Sequence, residues 1–279
     1  MGTNIYDIVN KLLKVKGNVI KVRFKVGGRI LEAYVPDDEM WGAIKDVLLN
    51  REYEYISGFE LENLKDKVVI DVGAHVGLYS LLASLYARKV ISIEPHPINY
   101  RLLEINKTIN NAQSIHPINA AIVGTKIRHV VQLCESMHSG GASIMMERSS
   151  KCYEVPAQTL NEIVEKHVDL DNDVLLKMDV EGAEFDIFRS LDIDLLRRIR
   201  FIVMEIHLRY GALSDVIERL KLANFQISYF HPPLLAKHAK PRIEVVDLLK
   251  LRILKSIIYL IASIGKLKNN DLVILFAYR

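Results

Sequence analysis

The sequence has few of the features that mark several large classes of protein. Its two cysteines, Cys134 and Cys152, have neither Cys-x-x-Cys nor metal-site spacing. We therefore expect unpaired thiols without a function, as is usual in a reducing compartment. The formal net charge is only +3 and no block of basic residues occurs, so we expect no nucleic-acid partner.

Sequence signals for export and membrane insertion are also lacking. The first ten residues do not show the charged-then-apolar order of a signal peptide. No uninterrupted apolar run reaches the ~18 residues that would span a bilayer. We therefore expect a cytoplasmic protein. With 50% hydrophobic residues over 279 positions, the chain can bury the core of one large domain with an appendage.

The segment from Val68 to Ser80 carries the most information. An apolar run ends in Asp71, and a Gly-x-x-x-Gly loop from Gly73 to Gly77 leads into a helix. This strand, loop and helix are typical of the first unit of a nucleotide-binding α/β sheet. Because a carboxylate would crowd a pyrophosphate, Asp71 favours a ligand with positive charge, such as S-adenosylmethionine.

A second acid lies at the end of the next predicted strand. Glu94 follows an apolar run and lies 23 residues after Asp71, close to the spacing at which an acid takes a ribose hydroxyl pair. Either acid alone could be a solvated loop carboxylate. Two acids at the ends of successive apolar strands favour a cofactor site.

The order of elements predicts a mostly parallel sheet with helices on both faces. Residues 1–66 are expected to form an N-terminal appendage, with a hairpin around Gly27 and Gly28 and a helix at 40–50. Residues 67–279 are expected to form the main domain. Its strands are expected at 68–72, 90–94, 115–123, 174–179, 200–206, 225–230 and 271–277. Its helices are expected at about 78–87, 98–110, 159–167, 183–190 and 212–222.

Two segments interrupt the alternation of strands and helices. Residues 124–157 are predicted to form an antiparallel insertion, with a strand at 127–133 and a loop at 139–143. Residues 231–268 are predicted to form a basic loop followed by an amphipathic helix at 247–266. We expect this helix to cover the sheet or make a homodimer contact; peripheral binding to a membrane surface is the alternative.

Polar residues follow two apolar strands in the second half of the domain. Lys177 and Asp179 share one face of one strand, and Glu205 and His207 share a face of the next. Since unpaired polar groups are costly to bury, strand ends of this kind are usually ligand sites or ion pairs. Lys177 could instead form a structural ion pair with Asp179 or Glu205, and His207 could simply be a hydrogen-bonded strand-edge histidine.

A divalent cation among these acids is a further alternative. The cluster Asp179, Glu181, Glu184, Glu205 and His207 offers suitable ligand types. The ammonium group of Lys177 next to them argues against a cation. We therefore predict no metal site.

Three segments together resemble the signature of the FkbM-type methyltransferases. They are Asp71 to Gly77, Ile93 to Pro95, and the Lys-x-Asp-x-Glu-Gly-x-Glu run from Lys177 to Glu184. The resemblance covers roughly residues 50–208. It implies an α/β, Rossmann-like class I sheet of seven strands, mostly parallel with an antiparallel last strand. It also implies S-adenosylmethionine as cofactor and O-methylation, often of sugar hydroxyls in polysaccharides, glycolipids or natural products.

The resemblance also implies roles for individual residues. The methionine part of the cofactor would lie along Asp71, Gly73, Ala74, His75 and Gly77. The family commonly has asparagine where this chain has His75. Glu94 and Pro95 would contact the ribose, and Asn119 and Ala120 the adenine. Asp179 and Glu181 would face the methionine amino group or the acceptor. The candidates for catalytic residues are Lys177, Asp179, Glu181, Glu205 and His207.

Methyl transfer to a hydroxyl benefits from a general base. Asp179, Glu181, Glu205 and His207 are all candidates, and the sequence does not rank them. The acceptor is expected to be a carbohydrate or other small molecule.

Three other functions fit the sequence less well. An NAD-dependent oxidoreductase would need Gly-x-Gly-x-x-Gly, but His75 stands two residues after Gly73. A non-catalytic binding module would not need the strand-end acids. A nucleic-acid methyltransferase should show an Asn/Asp-Pro-Pro-Tyr-like motif, which His231-Pro232-Pro233 is not.

Overall fold

The computed structural model describes residues 19–36, 43–134, 151–169, 173–231, 244–245 and 271–279. Its strands are β1 Val19–Val26, β2 Arg29–Pro36, β3 Val68–Val72, β4 Lys89–Ile93, β5 Ile115–Ile118, β6 Ala121–Ile122, β7 Val130–Cys134, β8 Cys152–Gln158, β9 Val174–Met178, β10 Phe201–His207, β11 Gln226–Phe230, β12 Glu244–Val245 and β13 Leu272–Tyr278. Its α-helices are α1 Leu78–Ala83, α2 Pro97–Ile109, α3 Leu160–His167, α4 Glu184–Ser190, α5 Ile193–Leu196 and α6 Leu213–Leu222. A π-helical turn spans Ile44–Asn50, and 3₁₀ turns span Glu52–Glu54, Leu61–Leu64 and Leu208–Tyr210.

The central sheet has seven strands in the order β11-β13-β10-β9-β3-β4-β5. Strands β10, β9, β3, β4 and β5 are parallel, and β13 is antiparallel to both β10 and β11. This confirms the predicted mostly parallel sheet with an antiparallel last strand. Strand order reverses between β3 and β9, so the cleft beyond their carboxyl ends is where such sheets bind ligands.

Hydrophobic residues of the sheet are divided between its two faces. On β3, Val69 packs into one core cluster and Val68, Ile70 and Val72 into the other. Every residue of β3 is buried. The predicted apolar run is therefore explained, because a parallel strand covered on both faces buries every side chain, and Asp71 is the one charged residue of this strand.

The N-terminal hairpin of β1 and β2 packs into the first of these core clusters. Asn106, fully buried on α2, joins the hairpin to the main domain. Its Oδ1 accepts from the backbone N–H of Tyr34 at 2.7 Å, and its Nδ2 donates to the carbonyls of Tyr34 and Val76 at 3.0 and 2.9 Å. The hairpin is thus connected through one side chain to the loop that follows β3.

Two strands differ from their predictions, one directly before the insertion and one within it. The strand expected at 115–123 is broken at Asn119, so that β5 belongs to the central sheet and β6 pairs with β8. The strand expected from 127 begins at Val130, and it pairs with β8 in the predicted antiparallel sense.

The prediction of unpaired cysteines was wrong. Cys134 and Cys152 lie opposite each other on β7 and β8 and form a disulfide. Cross-strand register, which spacing alone does not reveal, brings them together. The pair removes the argument for a reducing compartment, and the cytoplasmic location stays a prediction.

Several predicted segments lie wholly or partly outside the described residues. They include the loop at 139–143, the helix at 247–266 and most of the segment 231–268. The helix expected at 40–50 is described from residue 43, and most of it is π-helical. No helix in the described part of the chain is long and apolar enough to cross a membrane.

Candidate functional site

The loop after β3 is packed tightly against the end of β9. The N–H groups of Gly73 and Ala74 both donate to the carbonyl of Ile93 at 3.0 Å, which anchors the loop to β4. Gly73 has φ +75°, and a Cβ built there would lie 1.7 Å from the carbonyl oxygen of Asp179. This contact explains the glycine, because a side chain would push β9 and the loop apart.

Asp71 lies beneath the loop rather than at its mouth. Its side chain is fully buried; Oδ2 accepts from the Ser80 hydroxyl at 2.6 Å, and Oδ1 lies 3.2 Å from Lys177 Nζ. Lys177 also donates to the carbonyl of Gly73 at 3.0 Å. The expectation that the Asp71 carboxylate faces a ligand is therefore corrected: Asp71 and Lys177 form a buried ion pair that supports the loop.

Glu94 joins the two loops that follow β3 and β4. Its Oε2 accepts from the N–H of His75 at 2.7 Å, and its Oε1 accepts from the N–H of His96 at 2.8 Å. Burial raises the pKa of Glu94 to about 7, although the two backbone hydrogen bonds oppose the rise. Asn119, directly after β5, stabilises the same turn, because its amide donates to the carbonyls of Glu94 and Pro95 at 2.8 and 3.1 Å. The predicted adenine neighbour Ala120 is fully buried.

His75 occupies a backbone conformation that explains the family's usual residue at this position. Its φ is +52°, in the left-handed region where asparagine and histidine are enriched. Burial and the nearby Lys177 lower the pKa of its imidazole to about 3, so the ring is neutral. No described residue is hydrogen-bonded to its Nε2.

Acidic side chains meet a tyrosine from the N-terminal segment at the ends of β9 and β10. The Tyr53 hydroxyl donates to Glu205 Oε1 at 2.6 Å and lies 3.5 Å from Asp179 Oδ2. The Lys177 ammonium lies 5.1 Å from the centre of the Tyr53 ring. Burial, and then the charge of Asp179, raise the pKa of Glu205 to about 8. Glu52, next to Tyr53, is also buried, and burial together with Glu205 raises its pKa well above the usual value.

His207 lies between two other carboxylates. Glu184 Oε1 accepts from the His207 backbone N–H at 2.6 Å and lies 3.0 Å from its Nδ1, while Glu181 Oε2 lies 3.4 Å from Nε2. Hydrogen bonding to Glu184 and the charges of Asp179, Glu184 and Glu181 outweigh burial and raise the pKa of His207 to about 9. Burial, and then Asp179, raise the pKa of Glu181 to about 7.

The structure brings the predicted residues together and adds three that the sequence did not place among the candidate catalytic or cofactor-binding residues. Asp179, Glu181, Glu205 and His207 lie together at the ends of β9 and β10, and Lys177 lies next to them. Glu184, Glu52 and Tyr53 are the additions. Glu184 belongs to the signature run, and Glu52 and Tyr53 lie in a segment that also resembles the family. No local sequence pattern predicts their contacts, because the partners lie far away along the chain.

Glu94 provides a prediction about pH. Its pKa in the folded protein, about 7, is above the 4.5 of an unperturbed glutamate. The group therefore contributes stability that is fully present below pH 4.5 and is lost as the pH rises through 7. We expect Glu94→Gln to weaken the fall in melting temperature between pH 5 and pH 7.5, which a thermal melt series will measure. The same melt series on Glu218→Gln, an exposed acid of α6, is the control; an equal slope in Glu94→Gln and wild type would contradict the assignment.

A seven-stranded sheet of this order, with a glycine loop and acids at its first two strand ends, is the fold of the class I methyltransferases. The model of the methyltransferase FkbM domain matches residues 71–227, which is more than half of the chain. The chain therefore belongs to the FkbM methyltransferase family, as the signature predicted.

Two relatives share about a quarter of their aligned residues with this chain. Methyltransferase sdnD of Sordaria araneosa is 23% identical over 203 residues, which cover 61% of this chain and 78% of that protein. AMB antimetabolite synthetase AmbE of Pseudomonas aeruginosa is 27% identical over 199 residues, 55% of this chain and 9% of that protein. The crystal structure of methyltransferase FkbM from Methylobacillus flagellatus KT aligns with a TM-score of 0.46 at 15% identity, over 87% of this chain and 50% of that one.

Proposed function

We propose that this protein is an S-adenosylmethionine-dependent O-methyltransferase that acts on a hydroxyl of a sugar, a glycolipid or a related small molecule. Family membership supports methyl transfer. The observation that carries the cofactor assignment is the group of acids in the cleft beside the loop after β3, where burial and the charge of Asp179 raise the pKa of both Glu181 and Glu205. A sulfonium and an ammonium group are attracted to such a cleft, whereas the pyrophosphate of NAD is repelled.

The reaction is an in-line displacement. The acceptor oxygen attacks the methyl carbon, the carbon–sulfur bond breaks with its electrons going to sulfur, and the hydroxyl proton leaves to a base. The cofactor supplies the reactive methyl group, so the protein's part is to align the acceptor and receive the proton. Glu94, at the end of β4, would accept the ribose hydroxyls.

Glu181 is the candidate for the base that the geometry favours. Both ring nitrogens of His207 lie beside carboxylates, at 3.0 and 3.4 Å, so neither is free to receive the proton of the acceptor hydroxyl. Glu205 is nine-tenths buried and accepts from Tyr53. The Glu181 side chain is 26% exposed and can therefore reach an acceptor.

Ligand binding tests the cofactor. S-adenosylhomocysteine at about 100 times its Kd should stabilise the protein by ~2.7 kcal/mol, and NAD should not. Glu94→Ala should remove most of the resulting shift in melting temperature, while Glu218→Ala should keep it. Stabilisation by NAD and none by S-adenosylhomocysteine would refute the proposal.

The acceptor class needs a separate assay. Transfer of a radiolabelled methyl group should be screened over monosaccharides, glycolipids and single-stranded RNA. We expect incorporation into a carbohydrate-containing acceptor, in a base-stable product. Cofactor binding with no transfer to any acceptor would instead favour a binding module, and labelled RNA would overturn the acceptor class.

A further inference from the structure

Three potential metal ligands meet at the ends of β9 and β10. One ligand atom each from Asp179, Glu205 and His207 lies within 4.8 Å of the other two. The parallel register of β9 and β10 produces this grouping, because Lys177 is paired with Val203 and the residues two and four further along β10 share its face. Two carboxylates and one imidazole are a ligand set for a divalent cation.

The ammonium group of Lys177, whose charge argued against a cation, interacts with other groups. Lys177 Nζ forms its ion pair with Asp71 and donates to the carbonyl of Gly73. Among the described residues, no lysine or arginine nitrogen lies within 4 Å of a carboxylate oxygen of Asp179 or Glu205. Asp179 Oδ1 is moreover buried and hydrogen-bonded to no described residue. A buried acceptor without a partner costs free energy, which a cation would recover.

Glu184 fixes His207 in the orientation that a metal ligand needs. Because Glu184 Oε1 accepts the His207 backbone N–H, it is an acceptor for Nδ1 as well, so Nδ1 carries a proton. Nε2 is then the nitrogen that faces the cleft, where Glu181 Oε2 lies 3.4 Å from it. A carboxylate that orients a histidine from its other nitrogen in this way is the usual support of a metal-binding imidazole. Glu184 is itself held by the N–H of Gly182 at 2.8 Å and is fully buried.

We propose that Asp179, Glu205 and His207 bind a divalent cation of the kind that accepts both carboxylate oxygen and imidazole nitrogen, such as Mn²⁺. Three protein ligands leave positions open in an octahedral shell for water or for an acceptor hydroxyl. A cation there lowers the pKa of a bound hydroxyl and so assists its attack. This role, though not the binding itself, rests on the proposed function. A proton on Nε2 is released when the cation binds.

Mn²⁺ binding tests the site without any assay of methyl transfer. The full chain, stripped with EDTA and desalted, is titrated with Mn²⁺ while electron paramagnetic resonance follows the free ion. We expect saturable binding of one ion per chain. Asp179→Asn and Glu205→Gln should each weaken it more than ten-fold, and Glu184→Gln should weaken it roughly ten- to a hundred-fold by releasing the imidazole.

The matched control is Asp173→Asn. Asp173 is exposed at the opposite end of the same strand as Asp179, so this variant should bind Mn²⁺ as the wild type does. If a variant of the site does not fold, electron spin echo modulation of the wild type remains, and it should show coupling to an imidazole nitrogen. No saturable binding at millimolar Mn²⁺, unchanged binding in folded Asp179→Asn and Glu205→Gln, or no nitrogen coupling would overturn the inference. S-adenosylhomocysteine binding by the metal-free protein is measured in parallel, so that a failure of the cofactor proposal is recognised separately.

Discussion

Gly73→Ala should destabilise the protein by more than about 4 kcal/mol, whereas Gly28→Ala should cost about 1–2 kcal/mol. The two glycines have nearly the same left-handed φ, +75° and +80°. They differ in surroundings: a Cβ at Gly28 meets nothing within 4 Å, and one at Gly73 meets the carbonyl of Asp179 at 1.7 Å. The difference between the variants therefore isolates the backbone contact between the loop and β9.

Urea denaturation followed by circular dichroism gives the free energy of unfolding for both variants. Gly73→Ala should also lose affinity for S-adenosylhomocysteine, since the loop that it distorts would line the cofactor. If the two variants lose the same free energy of unfolding within about 1 kcal/mol, the contact between position 73 and the Asp179 carbonyl relaxes easily.

Lys177→Met should lower the free energy of unfolding by about 3–5 kcal/mol. The lysine side chain is 4% exposed and its partner Asp71 is fully buried, so the substitution leaves an uncompensated charge in the core. The carbonyl of Gly73 loses its donor as well. The double variant Asp71→Asn with Lys177→Met should be the more stable of the two, because it removes the buried charge and retains a hydrogen-bonding group for Ser80.

Lys126→Met is the control for this prediction. Lys126 pairs with Glu162 at 2.8 Å, but both side chains are partly exposed, at 24% and 44%. The expected loss is about 1 kcal/mol or less. A similar small loss for Lys177→Met would show that water reaches Asp71 and that the pair does not support the loop.

The central sheet could be predicted from the sequence because its physical causes are local. Buried parallel strands need continuous apolar runs, and β3, β9 and β10 begin and end within one or two residues of the expected positions. The grouping of Asp179, Glu205 and His207 also follows from alternation on neighbouring strands. Register and strand ends are thus enough to locate the cleft.

What the sequence did not reveal depends on contacts between distant segments. Whether Asp71 faces the opening or the core is decided by Ser80 and Lys177, and the latter lies on another strand. Tyr53 reaches Glu205 across 152 positions of the chain. The disulfide depends in the same way on how β7 and β8 pair. No periodicity within one element contains this information.

The three hydrogen bonds of Asn106 have an evolutionary consequence. A related domain that lost the hairpin would retain a buried amide on α2 with its partners at Tyr34 gone, directly behind the loop after β3. Such a loss would need a simultaneous apolar replacement at position 106. We therefore expect the hairpin and this asparagine to be gained and lost together among homologous domains, rather than the hairpin being exchanged as an independent module.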